Sequence, residues 1–253
     1  MTESFDLLSD ALGLQRGCLL ALVGGGGKTS ALLTLSRELA DRGWRVVAST
    51  TTRVGSSIAA SMPVLETTGK ELPDELVRAT SGPGRVFLCA GRGEDGKLLG
   101  TDPEMLDAIK AGDLADAIIV EADGARQMPL KAPGDHEPII PEAADIVLPF
   151  AGLDALGSAI EPGNVHRPEF LRRLTDSDRV TPEVIADVLC ADGGGLKGVP
   201  AGARVCPVLN KLDTVTPEEG LDTASAVLSR RPDRIPRVLL TSLQSGEFLR
   251  VQR

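Results

Sequence analysis

One stretch limits what this chain can fold into more than any other. The apolar run Cys18-Leu19-Leu20-Ala21-Leu22-Val23 breaks into Gly24-Gly25-Gly26-Gly27 and then Lys28-Thr29-Ser30. Six apolar residues ending abruptly in glycines read as a buried strand feeding a loop, and Leu32, Leu35 and Leu39 then recur at helical spacing. Strand, glycine loop, Lys-Thr and helix make the layout of a phosphate-binding loop. Its glycines let backbone N–H groups close around phosphate, Lys28 adds a charge, and the Thr29 hydroxyl can hold Mg²⁺. The candidate nucleotide-binding residues here are Gly24, Gly25, Gly26, Gly27, Lys28, Thr29 and Ser30. The loop is a variant. Leu22 stands where the usual pattern has its leading glycine, and Val23 stands where some related loops carry a lysine that reaches across a dimer.

Strand-like and helix-like segments alternate along the rest of the chain, which predicts a parallel α/β sheet. Residues 1–17 read as a short helix ending near Gly13, and Gly43 closes the helix after the loop. Strands are expected at 45–49, near 63–65, at 85–89, 117–120, 145–150, 205–209 and 238–240. Helices are expected near 71–78, from 101–104 onward, at 167–174, 182–189 and 217–230. Gly193-Gly194-Gly195 follows no apolar strand and reads as a turn.

Three strand ends carry chemistry. The strand at 45–49 delivers Thr50-Thr51-Thr52-Arg53 to the carboxyl edge beside the loop, either as ligand contacts or as a β-branched strand end with a surface arginine. The buried strand at 117–120 ends in Glu121-Ala122-Asp123-Gly124-Ala125-Arg126, and two carboxylates there are costly unless solvated or engaged. Glu121 lies about ninety residues after the loop, where such folds put a Mg²⁺-associated carboxylate, with Asp123 as the competing candidate. The strand at 205–209 ends in Asn210-Lys211-Leu212-Asp213, which fits the guanine-reading pattern Asn-Lys-x-Asp. A carboxylate at Asp213 accepts from two adjacent N–H donors that guanine has and adenine lacks. Asn210 can bond the base edge, and the Lys211 stem can cover its face; a polar turn is the plain alternative. His136 and His166, the two histidines, could bind metal, move protons or brace loops. Arg53, Arg126 and Lys131 could offset phosphate charge or be ordinary surface charges.

Bulk properties narrow the partners. With 253 residues and 42% hydrophobic content, one large domain is expected. A net charge of −9 disfavours broad nucleic-acid binding, so an anionic ligand must be caught locally. No apolar run approaches the roughly 18–20 residues that cross a bilayer. The acidic start Met1-Thr2-Glu3-Ser4-Phe5-Asp6 argues against a targeting segment, so a cytoplasmic location is expected. Cys18, Cys89, Cys190 and Cys206 are scattered among apolar runs and read as core residues rather than a disulfide or zinc frame.

Several segments together carry a resemblance. They are Gly24 to Ser30, Thr50-Thr51-Thr52, Glu121-Ala122-Asp123-Gly124-Ala125-Arg126, Pro129-Leu130-Lys131-Ala132-Pro133, His136-Glu137-Pro138, Val165-His166-Arg167-Pro168-Glu169 and Leu209-Asn210-Lys211-Leu212-Asp213. In these the chain resembles the YqeC family, accessory proteins for selenium-dependent molybdenum hydroxylases. The Glu-x-x-Gly step at Glu121–Gly124 is also similar to metal-centre GTPases such as UreG, HypB and CobW, without CobW's closely spaced cysteines. The resemblance implies a role in maturing a selenium- or molybdenum-containing hydroxylase, with that enzyme or its maturation factors as partners.

The resulting expectation is one P-loop-type α/β domain over 1–253, a mainly parallel sheet flanked by helices, with 125–200 as a helical and loop insertion forming part of the site. It would act as a Mg²⁺-dependent hydrolase of GTP (or ATP). Lys28 would bridge the terminal phosphates with the amides of Gly25, Gly26 and Gly27. Thr29 and Glu121 would serve the metal, Asp123 would orient the attacking water, and Thr51 or Thr52 would sense the γ-phosphate. Arg126 would complete the catalytic set. Two other readings share these residues: a small-molecule kinase whose acceptor site is His136, Lys131 and Arg126, and a nucleotide-gated binding module with little turnover.

Overall fold

The computed structural model describes residues 1–67 and 72–252. In chain order it contains β1 (Thr2–Phe5), α1 (Leu8–Leu12), β2 (Cys18–Gly24), α2 (Lys28–Asp41), β3 (Arg45–Thr50), β4 (Val64–Glu66), α3 (Asp74–Ala79), β5 (Gly84–Cys89), α4 (Pro103–Ala111) and β6 (Ala117–Glu121). There follow β7 (Ile146–Gly152), α5 (Pro168–Leu171), α6 (Pro182–Cys190), β8 (Arg204–Val205), β9 (Val208–Asn210), α7 (Pro217–Arg230), β10 (Arg237–Ser242) and β11 (Glu247–Gln252). Among the described residues the strands form one sheet in the order β1-β11-β10-β9-β7-β2-β6-β3-β5-β4, with β8 a branch on β7. Only β1–β11 and β10–β11 pair antiparallel; the other pairings are parallel. This is the expected mainly parallel, helix-flanked α/β architecture.

β2 lies between β6 and β7, and its side chains are buried on both faces, as a central parallel strand requires. Leu20 and Leu22 face Leu32, Leu35 and Leu39 of α2. Leu19, Ala21 and Val23 face Met105, Leu106 and Ile109 of α4 on the other side. α6 and α7 cover the β9–β10 half through Leu189, Val227 and Leu228. The register sets Leu22 and Thr50 opposite Glu121, and Gly152 opposite Asn210, so the carboxyl ends of β2, β3, β6, β7 and β9 converge on one sheet edge. Ligands of open parallel sheets bind at such an edge.

The structure departs from the sequence reading in several places. Residues 2–5 are not helical: they form the edge strand β1, paired with β11, and only Leu8–Leu12 coil into a helix. The strand read at 238–240 continues through a turn into β11. The run at 205–209 breaks into β8 and β9 around Pro207, which has no N–H to give a ladder. The helix read at 167–174 is the single turn α5. The helix read at 71–78 runs over Asp74–Ala79, its proposed start at Glu71 lying outside the described residues. The segment 125–200 is not wholly an insertion, because β7 within it is a core strand beside β2; what leaves the sheet is the stretch before β7 and the α5–α6 region after it.

Candidate functional site

The four glycines turn tightly against three other strand ends. Gly24 (φ +89°) and Gly26 (φ +86°) have positive φ, and a Cβ at either would collide with the backbone of Phe150 or Gly152. The loop is pinned from below. Gly24 N donates to both oxygens of Asp123 at 3.1 and 3.0 Å, Gly25 N to Phe150 O at 3.1 Å, and Gly26 N to Met128 O at 3.0 Å. The amides of Gly25 and Gly26, expected to face phosphate, are therefore already engaged. The free donors lie one step on: among the described residues nothing accepts from the amides of Gly27, Lys28, Thr29 and Ser30, which open α2 without a side-chain cap. Orphan amides at a helix N-terminus are an anion site.

Because β2 and β6 are neighbours, their ends place the loop's polar side chains on the carboxylates. The Thr29 hydroxyl donates to Glu121 Oε2 at 2.8 Å. Lys28, only 4% exposed, sets its Nζ between Gly24 O, Asp123 Oδ1 at 3.1 Å and Glu121 Oε1 at 3.6 Å. Asp123 is 1% exposed and also takes Lys131 Nζ at 2.9 Å. Lys131, read from sequence as an acceptor-site or surface charge, is a core cation, 2% exposed. It donates to Gly124 O at 2.5 Å and to Glu137 Oε2 at 2.7 Å, and Glu137 in turn holds Arg167 at 2.9 Å. One ion-pair chain thus runs from Arg167 through Glu137, Lys131 and Asp123 to Lys28 and Glu121.

Above the loop opens a cleft of about 780 Å³. Its lining includes Gly26 to Ser30, Thr52 to Gly55, Lys97, Glu121, Gly124 to Met128, Glu137, His166, Arg167 and Lys211. Thr52 reaches the cleft; the Thr51 hydroxyl instead donates to Ile139 O at 2.8 Å. Arg53 and Arg126 line it, both exposed. His136 is exposed and does not contribute to the cleft wall, whereas His166 does. The His166 imidazole is held below its ordinary range by burial first, and then by the positive charges of Lys131, Arg167 and Arg126.

The Asn-Lys-x-Asp segment sits at the end of β9 beside the loop. Asn210 is a brace: its Nδ2 donates to Gly26 O at 2.8 Å, and its Oδ1 accepts from Thr241 Oγ1 at 3.0 Å and Leu243 N at 3.3 Å. Lys211, left-handed at φ +66°, lines the cleft and pairs with Asp154 at 2.5 Å. Asp213 is exposed and accepts from Ser242 Oγ at 2.5 Å.

Among the described residues no three His, Cys, Asp or Glu side chains converge as a metal cage. Mg²⁺ at a phosphate needs none, because it takes one or two protein oxygens and completes its shell with phosphate and water. The adjacent Thr29 and Glu121 oxygens fit that demand.

Sequence reasoning missed Lys97, Asp154 and the Glu137–Arg167 pair as site elements. Arg167 left one backbone sign that only the structure displays, a left-handed φ of +56° ahead of Pro168.

A family model described as "YqeC protein" matches residues 20–169. A relative from Escherichia coli strain K12, described as "Uncharacterized protein YqeC", is 32% identical over 211 residues, which cover 81% of this chain and 80% of the relative. A solved structure described as a GTPase in apo form from Pyrococcus abyssi aligns over 92% of this chain and 94% of its own, at 15% identity and a TM-score of 0.40. That last likeness is too loose to carry an argument. No helix among the described residues is long and apolar enough to cross a membrane.

Proposed function

The chain belongs to the YqeC family, and from that premise we propose that it is a Mg²⁺-dependent P-loop nucleotide hydrolase selective for GTP. The observation that carries this reading is the meeting of Lys28, Thr29 and Glu121 under four orphan amides at the start of α2. A terminal phosphate there would draw on those amides and on the Lys28 ammonium. Thr29 and Glu121 are the groups that would hold Mg²⁺, which when bound neutralises charge on the phosphate oxygens. In this reading Asp123 takes a different role from the sequence expectation. With two lysines and Gly24 N on its carboxylate, it positions the loop and Lys28 rather than orienting a water. Thr52 is the better candidate than Thr51 for sensing the γ-phosphate. Arg126 faces the cleft, free to meet an anionic group.

GTP selectivity rests on the Asn-Lys-x-Asp pattern, with Lys211 lining the cleft, Asn210 bracing Gly26, and Asp213 outside the cleft wall and bonded to Ser242. The placement of the reaction in maturation of a selenium- or molybdenum-containing hydroxylase rests on the family resemblance and not on the cleft. Titrating GTP and ATP with Mg²⁺ against wild type and Asp213→Ala tests the base; equal affinities, or a GTP preference that the substitution leaves intact, would remove guanine. Lys28→Ala should abolish binding, and unchanged affinity would sink the loop assignment. The kinase reading keeps one supporting observation, a cleft wall of Arg126, His166 and Arg167 beyond the loop, but loses Lys131 to the core and His136 to the surface. Phosphate released without an acceptor favours hydrolysis over it.

A further inference from the structure

Basic side chains line the cleft in and beyond the phosphate loop, and those away from one wall already have carboxylate partners: Lys28 with Asp123, Arg53 and Lys97 with Asp95, and Lys211 with Asp154. The cleft's lining side chains include six basic ones, Lys28, Arg53, Lys97, Arg126, Arg167 and Lys211, together with His166, against two acidic ones, Glu121 and Glu137. Lys28 and Glu121 belong to the loop and Lys211 to its flank. On the wall built from 124–128 and 166–167, Arg126, Arg167 and His166 face the cleft with Glu137 as the one acidic neighbour, and Glu137 is already shared by Arg167 and Lys131.

The wall is built rather than adventitious. Arg126, Gln127 and Arg167 all hold left-handed backbone, at φ +48°, +63° and +56°. Non-glycine residues adopt that region at a cost and concentrate at functional sites. The two segments are fastened together where His166 N donates to Leu130 O at 2.9 Å. Behind them the buried Lys131 fixes Glu137, which fixes the guanidinium of Arg167. Glu137 engages two nitrogens of Arg167, and a guanidinium with five N–H donors keeps others for the oxygens of a phosphate or carboxylate.

We propose that Arg126, His166 and Arg167 form a second subsite in the cleft, one that takes the oxyanion group, phosphate or carboxylate, of a small-molecule ligand bound beside the nucleotide. The nucleotide reading matters to this site only for what fills the neighbouring loop. The His166 imidazole is depressed by burial first; the lesser part, from the charges of Lys131, Arg167 and Arg126, is a positive field that also favours an anion. An anion bound on the wall would in turn restore the proton.

His166 is a built-in reporter, and the exposed His136 its control. The test is an NMR titration of both imidazoles in the full chain, with the loop saturated by Mg²⁺ and a non-hydrolysable GTP analogue. Sulfate and acetate are added separately, against chloride at equal ionic strength. Sulfate, acetate or both should raise the His166 pKa by about half a unit or more beyond chloride and leave His136 unmoved. Sulfate alone would assign a tetrahedral group, and acetate alone a carboxylate. Arg126→Gln should weaken that anion's binding by about tenfold, the loss of one charged hydrogen-bond donor. Shifts no larger than chloride's, equal shifts on both histidines, or undiminished anion affinity in Arg126→Gln would overturn the subsite. Repeating the titration on Lys28→Ala separates the two readings. Failure of wild type to bind the analogue removes the nucleotide, whereas loss of the His166 response in both proteins removes the second site.

Discussion

Lys131→Met should be the most damaging single change in the site that leaves every cleft-lining side chain in place. The ammonium is enclosed by Asp123 at 2.9 Å, Glu137 at 2.7 Å and Gly124 O at 2.5 Å. The chain Arg167, Glu137, Lys131, Asp123, Lys28, Glu121 alternates in sign and sums to zero; methionine fills similar volume but leaves a net −1 inside. Removing one partner of a buried pair costs about 3–5 kcal/mol. The lower end applies because each carboxylate keeps another cation, Lys28 on Asp123 and Arg167 on Glu137. A loss of about 3 kcal/mol in a chain of this size is a fall of roughly 6–12 °C in Tm. Urea unfolding and calorimetry without nucleotide measure it, and adding Glu137→Gln to the variant should recover at least about 1 kcal/mol by restoring the charge balance. GTP affinity should drop too, since the uncompensated charge sits beside Lys28. A loss below about 1 kcal/mol, the worth of a surface pair, or no recovery in the double variant, would refute the buried-chain account.

Three further outcomes follow. Asn210→Ala breaks hydrogen bonds to Gly26, Thr241 and Leu243, so it should cost about 2–3 kcal/mol in urea unfolding and weaken GTP and ATP alike; a selective loss of GTP would make Asn210 a base reader instead. His166 is depressed below the ordinary 6.5, so the unfolded chain takes up its proton first as pH falls. Its stability penalty is absent above that range and grows as pH drops through 6.5 toward the folded value, and His166→Gln should flatten that part of a Tm-versus-pH curve. Burial pushes the Cys190 and Cys206 thiols up to about 12 and Cys18 to about 11, so iodoacetamide near pH 8 should label none of the three until denaturant is added.

What was legible in the sequence is what local pattern controls. β2, β3, β6 and β7 are short apolar runs, and α7 shows its Pro217 and acidic first turn. The phosphate loop shows its glycines. The misreadings are nonlocal. Thr2-Glu3-Ser4 is polar and exposed, and the segment through Phe5 becomes a strand because β11, at the other end of the chain, offers its free edge. Lys131 sits in a proline-rich stretch with no apolar periodicity, and its burial depends on Asp123 and Glu137 closing around it. Arg167 reaches the cleft through the pairing of His166 with Leu130, a contact between two irregular segments that no periodicity announces. In the Asn-Lys-x-Asp segment the residue types were visible, but not that Asn210 faces the loop backbone.

The departures from the usual loop pattern make sense once the contacts are counted by role. Leu22 is fully buried, inside β2 and opposite Glu121 and Leu148, so the strand simply runs on where a glycine would have begun the turn. Val23 is buried against the α4 side, so no side chain at that position could reach outward. The turn begins at Gly24, late and tight, and a loop this short has fewer contacts of its own to fix its shape. Others supply them: Asp123 takes Gly24 N, Phe150 O takes Gly25 N, Met128 O takes Gly26 N, and Asn210 donates to Gly26 O. The pins come from three strands, β7 and β9 themselves and the segment after β6, so the loop's geometry is set by the sheet register rather than by the loop sequence. That leaves the orphan amides of α2 and the Lys28–Glu121 pair already in position, which is the preorganisation that the proposed hydrolysis would demand.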